Sequence, residues 1–435
     1  MTVIGTFRQP GIRCTNHLFS VPLDHDDPPG PQIQVFAREV VGADMFTASG
    51  RFKEELPWLV FLQGGPGGRA GRPVGRSQWL DRALRSYRVV LLDQRGTGLS
   101  TPATRHSLAG LGSPKDQAAY LQHLRADAIV RDAELVRREL VGSTEPWSAL
   151  GQSYGGFCAM TYLSLAPEGL REVFVTGGLP ALSGHPDQVY RATYPRVLDK
   201  NAAFFDRYPE DRERLDQIVA HLGSNDVRLP GGDRLSVPRF QMMGRSLGDS
   251  HTFHDLHYLL EDAFLNGGPG SDLSDIFLRA VDSRLSFAEN PLYAVLHESI
   301  YCQHEASRWS AERTRAEFAQ FEPDADQVIF TGEMIYPWVF DEDPALHSLR
   351  DVAHLLAAKD DWPALYDESR LAANEVPVAA AIYHDDMYVD YGLSLQTAKS
   401  VGNLRYWVTN EHEHDGLRSS PGVLDRLIKM VRGEV

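Results

Sequence analysis

The sequence predicts an α/β protein in which a mostly parallel central sheet is interrupted by an inserted helical segment. Short continuous apolar runs alternate with helix-like stretches up to about residue 180. Helical patterns then dominate residues 181–345, and the first pattern returns in residues 346–435. Alternation of strands and helices is typical of a parallel sheet with helices on its faces. We therefore expect residues 1–180 and 346–435 to build one core, with residues 181–345 forming a helical cap.

The predicted strands are short apolar runs, several of which end in glycine, acidic residues or histidine. Continuous apolar runs of this length indicate strands that are buried on both faces. These runs are QIQVFAREVV (32–41), PWLVFLQGG (57–65), YRVVLLDQRGTG (87–98), WSALGQS (147–153), VPVAAAIYHDD (376–386) and NLRYWVTNEHEHDG (403–416).

The predicted helices carry an apolar stripe at helical spacing. In residues 127–140, Ile129, Ala133, Val136 and Leu140 recur on one face, with charged residues on the other. The segment VLDRLIKMVRG (423–433) has the same amphipathic character and closes the chain. Inside the cap, helices are predicted within residues 200–222, 253–265 and 307–321.

Composition narrows the class of protein. Of the 435 residues, 43% are hydrophobic and 23% are charged, values that are ordinary for a globular protein. The net charge of −16 argues against a nucleic-acid partner, which requires a basic surface. No apolar run reaches the roughly 18 residues of a membrane span, and the first residues lack the pattern of a secretory signal. We expect a cytoplasmic protein with neither a nucleic-acid nor a membrane partner.

The cysteine pattern argues against disulfides and metal sites. Cys14, Cys158 and Cys302 are an odd number, lie far apart and form no CxxC pair. This usage is typical of a reducing compartment, and it matches no zinc-ligand spacing. Neither a metal nor a cofactor is expected.

The segment GQSYGGF (151–157) has the pattern G-x-S-x-G. It follows a predicted buried strand, and the helix predicted after it ends by Pro167. In that context the glycines allow a sharp strand-to-helix turn, which exposes the serine in a strained backbone position. A plain turn would have the same composition, but the flanking elements favour Ser153 as a nucleophile.

A serine nucleophile needs a base and an orienting acid, each at the carboxyl end of a later strand. The last two predicted strands end in these residue types. Asp385 and Asp386 are the candidate acids, and we favour Asp386. His412 and His414 are the candidate bases, and we favour His414.

An oxyanion hole is predicted between two backbone N–H groups, since developing negative charge must be stabilised. One is that of Tyr154, the residue after the nucleophile. The other lies in the loop QGGPGG (63–68), where we favour Gly65. A flexible Gly/Pro turn is the alternative, but the loop follows an apolar run at the expected place.

The motifs GGPGG, DQRGTGLS and GQSYGGF, in this order, resemble the proline iminopeptidase family of α/β-hydrolases. The segments HESIYCQ, GEMIYPW, YHDDMYVD and NEHEHDGLR are similar to its larger bacterial branch. The family's loop pattern begins HGGPG, and here Gln63 stands in the histidine's place. The resemblance implies an α/β-hydrolase fold with a helical cap.

The resemblance also implies a serine aminopeptidase that releases N-terminal proline from short peptides. Such an enzyme has to recognise a free secondary ammonium, and carboxylates near the serine suit that task. The matching motifs imply this role for Glu298 and Glu333, which lie among large apolar residues. The neighbouring Cys302 raises the question of sensitivity to thiol reagents.

Other functions remain open at the level of the sequence. The alternatives are an esterase, a broader aminopeptidase, or a binding protein of the same fold that does not catalyse. Ser153 argues against epoxide and haloalkane hydrolases, in which an aspartate is expected at the same turn. In the motif DQRGTGLS (93–100), Asp93 and Arg95 are interpreted as braces of neighbouring backbone rather than as reacting groups.

Overall fold

The computed structural model describes residues 1–46, 52, 55–265 and 271–435. A nine-stranded sheet has the order β1-β2-β3-β5-β4-β6-β7-β8-β9. Strands β4 to β9 pair parallel with one another, whereas β1 with β2, β2 with β3, and β3 with β5 pair antiparallel. The prediction of a mostly parallel sheet assembled from both ends of the chain is confirmed.

The strands lie close to the predicted runs, and the residues that follow each run form the connecting loops. The bounds are β1 Thr2–Gln9, β2 Ile12–Pro22, β3 Gln32–Gly42, β4 Trp58–Leu62, β5 Arg88–Leu92, β6 Trp147–Gln152, β7 Leu170–Thr176, β8 Val378–Tyr383 and β9 Leu404–Thr409. Strands β1, β2 and β7 were not among the predicted runs. The first two form a hairpin with polar and apolar residues mixed, and β1 is largely exposed. A strand with so little burial has a weak hydrophobic pattern.

The helices cover the sheet and build the cap. Their bounds are α1 Gln78–Ala83, α2 Arg105–Ala109, α3 Pro114–Leu121, α4 Ala126–Leu140, α5 Tyr154–Leu165, α6 Pro186–Arg207, α7 Glu210–Ser224, α8 Val237–Gln241, α9 Thr252–Glu261, α10 Asp275–Leu285, α11 Pro291–Leu296, α12 Ser310–Arg315, α13 Val339–Glu342, α14 Arg350–Ala358, α15 Glu368–Ala372, α16 Tyr391–Ser400, α17 Gly416–Ser419 and α18 Pro421–Arg432. Short 3₁₀ turns occupy Ala43–Met45, Gln122–Leu124, Pro167–Gly169, Met242–Ser246, Ser299–Tyr301, Ala319–Phe321 and His347–Leu349.

The sequence of each core element explains its position. Helix α5 contains no charged residue and is buried along nearly its whole length, since it packs between β6 and neighbouring helices. Helix α4 buries the predicted stripe and exposes part of its charged face. The central strands β4 and β6 are buried on both faces, which explains their continuous apolar runs.

The cap is helical, but two of its predicted helices differ from those observed. Residues 200–222 fall in α6 and α7, which are separated near Pro209 because proline lacks the N–H that a continuous helix needs. Residues 307–321 form the short α12 and a 3₁₀ turn rather than one long helix. The apolar cluster of the cap extends to Trp362, whereas Leu365 packs with the sheet core.

The carboxyl ends of the parallel strands meet at one edge of the sheet, where ligands bind in open α/β folds. Strand β4 ends at Leu62, β6 at Gln152, β8 at Tyr383 and β9 at Thr409. The QGGPGG loop, Ser153, Asp386 and His414 follow these four strands. Parallel pairing therefore brings residues separated by hundreds of positions to one edge.

Two further features concern the described parts of the chain. None of the described helices combines the length and the apolar character that crossing a bilayer requires. Among the same residues, no group of three or more His, Cys, Asp or Glu side chains is arranged to hold a metal ion.

Candidate active site

The turn between β6 and α5 holds Ser153 in an unusual backbone conformation. Its φ of 55° and ψ of −126° lie in a region that residues other than glycine rarely adopt. The Ser153 N–H donates to the Thr176 carbonyl at 3.0 Å, which ties the turn to β7. A side chain at Gly155 would place its Cβ 1.9 Å from the Leu62 carbonyl oxygen. Only glycine at this position lets α5 approach β4 so closely, and the serine is thereby held at the sheet edge.

His414 and Asp386 form a buried hydrogen-bonded pair beside this turn. The His414 Nδ1 lies 2.7 Å from Asp386 Oδ2. The other carboxylate oxygen accepts the backbone N–H groups of Tyr388 at 2.8 Å and Val389 at 3.0 Å. Burial disfavours the imidazolium, but the charge and hydrogen bond of Asp386 outweigh this effect and raise the pKa of His414 above 6.5. Nε2 is therefore the ring nitrogen left to exchange a proton.

The alternative acid and base lie elsewhere. Asp385 is exposed and contacts the neighbouring His384 at 2.7 Å. The His412 ring lies against Trp407, with centroids 6.2 Å apart, and does not line the cavity described below. A shift of one residue between the acids, and of two residues between the histidines, decides which side chain turns inward.

The QGGPGG loop packs directly against the nucleophile. A Cβ at Gly64 would lie 2.9 Å from Ser153 Cβ, so the loop backbone itself forms the wall. Gly65 lines the same cavity. Tyr154 is the first residue of α5, and its N–H belongs to the first turn of the helix, where N–H groups have no partner within the helix. Both backbone groups proposed for the oxyanion hole therefore border Ser153.

The two charged residues of the DQRGTGLS motif brace nearby backbone: Asp93 the stretch after the QGGPGG loop, and Arg95 the carbonyls of Leu23 and His123. Asp93 accepts the Ala70 N–H at 3.2 Å and pairs with Arg72 at 2.5 Å. Arg95 is buried and pairs with Asp132, with Nε 2.7 Å from Oδ2. Neither Asp93 nor Arg95 lines the cavity.

A cavity of about 370 Å³ opens above Ser153 and is shared by core and cap. The core contributes Gln63, Gly65, Ser153 and His414 among others. The cap wall includes Arg245, Phe287, Asn290, Tyr293 and Glu333. The volume suits a ligand of a few amino-acid residues, since ligand sites of small molecules begin at about 300 Å³.

Glu333 supplies a carboxyl group to the cap wall of this cavity. Its Oε2 accepts a hydrogen bond from the Tyr293 hydroxyl at 2.7 Å. Burial raises the pKa of Glu333 from 4.5 to about 7, against the opposing effects of Tyr293, His414 and Arg245. A cation bound beside this carboxyl group would favour its ionised form.

Glu298 lies in the cap interior and is not among the residues that line the cavity. Its Oε1 accepts the Ala311 N–H at 2.8 Å, whereas Oε2 has no hydrogen-bond partner among the described residues. Burial raises the pKa of Glu298. Burial raises the pKa of Tyr190, and the charges of Glu298 and Glu333 raise it further, so both carboxyl groups lie near this part of the cap.

Several residues of the cavity were missed by sequence reasoning. Tyr293 and Asn290 belong to the stretch ENPLYAV, where Asn-Pro signals a helix start but no chemistry. Arg245 packs its guanidinium over Phe287, 4.7 Å from the ring centroid. Tyr388 contacts the His414 ring with centroids 4.8 Å apart. None of these contacts carries a local sequence signal, because each joins segments distant in the chain.

Cys302 is buried in the cap, with 1% of its side chain exposed. Burial raises the pKa of its thiol to about 12. Because the thiolate is the reactive form, both the burial of the side chain and the raised pKa of the thiol protect Cys302 from thiol reagents.

The chain matches the α/β-hydrolase fold family over residues 57–417. It is 50% identical over 425 residues to a proline iminopeptidase of Aeromonas sobria, covering 97% of each chain. A proline iminopeptidase of Aspergillus aculeatus is 37% identical over 94% of this chain and 91% of its own. A probable proline iminopeptidase of Streptomyces coelicolor is 34% identical over 48% of this chain and 65% of its own. The fold prediction is thereby confirmed.

Proposed function

This chain belongs to the proline iminopeptidase family of α/β-hydrolases, and we propose that it is a serine aminopeptidase that releases N-terminal proline from short peptides. The observation that carries the proposal is the shared cavity. A serine on a strained turn and a buried carboxyl group of the cap, Ser153 and Glu333, line the same 370 Å³ space. The first provides acyl transfer, and the second provides recognition of a cation.

The proposed chemistry uses Ser153, His414 and Asp386. Ser153 Oγ attacks the carbonyl carbon of the N-terminal residue while His414 Nε2 takes the hydroxyl proton. Asp386 holds the Nδ1–H tautomer and stabilises the imidazolium. The N–H groups of Gly65 and Tyr154 stabilise the oxyanion. Collapse of the intermediate passes the proton to the departing amine, and water then hydrolyses the acyl-enzyme by the same base.

The proposed recognition uses the free ammonium of the substrate. Glu333 borders the cavity and is the group we assign to direct contact with the ammonium. Glu298 supplies a second negative charge from within the cap. A charge-assisted hydrogen bond in a partly dry site contributes about 1.5–3 kcal/mol, enough to favour a free amine over a blocked one.

The cap assignment follows from the same arrangement. We assign residues 181–345 to a cap that selects substrate, because Arg245, Tyr293 and Glu333 reach the cavity from this segment. We place the enzyme in the cytoplasm, since Cys14, Cys158 and Cys302 are all free and buried. The net charge of −16 argues against a nucleic-acid partner.

The test is a panel of aminoacyl-naphthylamides with N-acetyl-proline-naphthylamide as the blocked control. We expect turnover of the proline compound to exceed that of all other residues, and no turnover of the blocked one. Comparable turnover of several residues would indicate a broader aminopeptidase. Turnover of the blocked compound, or of esters alone, would indicate an esterase.

Labelling with a fluorophosphonate probe separates catalysis from binding alone. We expect covalent labelling that is lost in Ser153→Ala. A wild-type protein that binds proline peptides but takes no label would be a non-catalytic member of the fold.

A further inference from the structure

We propose that helix α11 (Pro291–Leu296), which contains Tyr293, forms a spacer together with its capping residue Asn290. This spacer fixes the position of the Glu333 carboxyl group relative to the QGGPGG loop (63–68), hereafter the oxyanion loop. The spacer would set the distance between the ammonium of the substrate and its scissile carbonyl to that of one α-amino acid. This inference rests on the proposed function. It makes Asn290 and Tyr293 positioning residues, which act through the loop and through Glu333.

One end of the spacer contacts the oxyanion loop. Asn290 Nδ2 donates to the Pro66 carbonyl at 3.3 Å, within the QGGPGG loop. The packing is close, since a Cβ at Gly67 would lie 2.3 Å from Asn290 Oδ1 and 2.6 Å from Leu292 Cβ. The same Asn290 Oδ1 accepts the Tyr293 N–H at 3.2 Å and caps α11. A single side chain therefore joins the loop to the start of the helix.

The other end contacts the carboxyl group. The Tyr293 hydroxyl donates to Glu333 Oε2 at 2.7 Å. Its ring is fixed between neighbours, stacked on Phe287 with centroids 6.2 Å apart and tilted on His297 at 4.9 Å. A ring held in this way cannot swing without disturbing several contacts, so Tyr293 transmits the position of α11 to Glu333.

A fixed separation between Glu333 and the oxyanion loop has a consequence for specificity. In a peptide with a free N-terminus, one carbon separates the amine nitrogen from the first carbonyl carbon. If the spacer holds the amine partner and the oxyanion hole at fixed positions, only the first peptide bond reaches Ser153. A substrate with one extra methylene between amine and carbonyl cannot satisfy both ends.

Kinetics of proline-naphthylamide and β-homoproline-naphthylamide test this spacing, because the second substrate carries one extra backbone methylene. Asn290→Asp keeps the cap acceptor for the Tyr293 N–H and removes the donor to Pro66. Asn290→Ser also keeps a cap acceptor without adding charge, and its hydroxyl sits on a shorter side chain than the amide that donates to Pro66. We expect the wild type to prefer proline by at least about 100-fold, and both variants to reduce this preference about tenfold, the value of one hydrogen bond. An unchanged preference in both variants, with or without a lower Tm, would overturn the spacer.

Tyr293→Phe tests the second end, with Tyr190→Phe as the matched control. Tyr190 is another buried cap tyrosine, and its hydroxyl has no partner among the described residues. We expect Tyr293→Phe to raise KM for proline-naphthylamide about tenfold more than it raises KM for a small neutral ester. Equal effects on both substrates, or an equal effect of Tyr190→Phe, would show a merely structural role.

The pH profile provides a further readout of the Tyr293 contact. The groups that act on Glu333 are Tyr293, His414, Asp386 and Arg245. Because the Tyr293 hydrogen bond lowers the pKa of Glu333, its loss should move the acidic limb of kcat/KM to higher pH. If the acidic limb of the kcat/KM profile stays at the same pH in Tyr293→Phe, the proposal is overturned.

Failure of the proposed function gives a different result. No turnover of either amine substrate, with fluorophosphonate labelling intact, would overturn the aminopeptidase assignment and the spacer with it. Turnover of proline with unchanged discrimination in the Asn290 variants would overturn the spacer alone.

Discussion

The acid–base pair at the sheet edge and the buried polar groups of the cap interior differ in how fully they are hydrogen-bonded. At the sheet edge, the Asp386 carboxylate accepts hydrogen bonds from two backbone N–H groups and from His414. In the cap, Glu298 Oε2 and both ring nitrogens of His297 have no partner among the described residues. Each such buried group costs about 1–3 kcal/mol relative to a satisfied one.

This difference in hydrogen bonding corresponds to two tasks, proton transfer and recognition of a cation. A catalytic acid–base pair has to be in place before the substrate arrives, so all its hydrogen bonds are made within the protein. A recognition site for a cation gains affinity when its acceptors are completed by the ligand. Glu333 borders the cavity and burial raises its pKa, so it is the cap group that an ammonium would complete in the proposed function.

The largest expected effect concerns the sheet edge. Ser153→Ala or His414→Ala should lower kcat by at least about 10³-fold, because these groups act as a unit. Tm should change little for the serine variant, since the side chain is partly exposed and alanine leaves the strained backbone conformation as it is. His412→Ala is the matched control and should retain turnover. Normal activity in His414→Ala, with loss in His412→Ala, would move the base to His412.

The next effect compares the two cap carboxyl groups. Glu333→Gln should lower kcat/KM for proline-naphthylamide by roughly 30- to 1000-fold, the loss of a partly buried charge partner. Glu298→Gln should cost less, roughly 3- to 30-fold, because it acts on the cavity from a distance. Turnover of a small neutral ester reports on the triad. Equal losses on ester and amine would mean damaged folding rather than lost recognition.

The pH dependence sharpens the same contrast. Glu333 must be ionised to bind the ammonium, and burial raises its pKa to about 7. His414 must be neutral to act as base, and its pKa is raised above 6.5. Activity toward proline-naphthylamide should therefore rise with pH through about 7, and Glu333→Gln should keep only the limb of His414. A profile identical in wild type and variant would exclude titration of Glu333 as its cause.

The smallest expected effect concerns stability. The pKa of Glu333 is raised from 4.5 to about 7 in the folded state, so the protein loses stability as pH rises through this window. Glutamine does not titrate. The free energy of unfolding of Glu333→Gln should therefore exceed that of the wild type by about 1–3 kcal/mol at pH 8, and by much less at pH 5. The expected gain is kept low because the Glu333 side chain borders an open cavity.

Urea denaturation at both values of pH measures this difference. The exposed Glu289→Gln at the cavity rim is the matched control, for which no gain is expected. A Glu333→Gln variant that is less stable at pH 8 would mean that Glu333 stabilises the cap through contacts rather than straining it.

Much of the arrangement could be predicted because it follows from chain order. Ser153, the two acids and the two histidines each follow an apolar run, and parallel strands place their carboxyl ends at one edge. The glycines of G-x-S-x-G are needed locally, as the approach of Gly155 to Leu62 shows. The hairpin of β1 and β2 escaped prediction because β1 is largely exposed and β2 mixes polar residues with its buried apolar ones.

The sequence by itself determined the fold class, the order of the motifs and the residue types available at the sheet edge. Only the tertiary structure decided which of two adjacent candidates turns inward, Asp386 with His414, while Asp385 pairs with His384. It also placed Glu333 at the cavity and Glu298 behind it, and joined Asn290 to Pro66. The physical reason is that local patterns follow the burial of single segments, whereas these contacts depend on how segments far apart in the chain pack together.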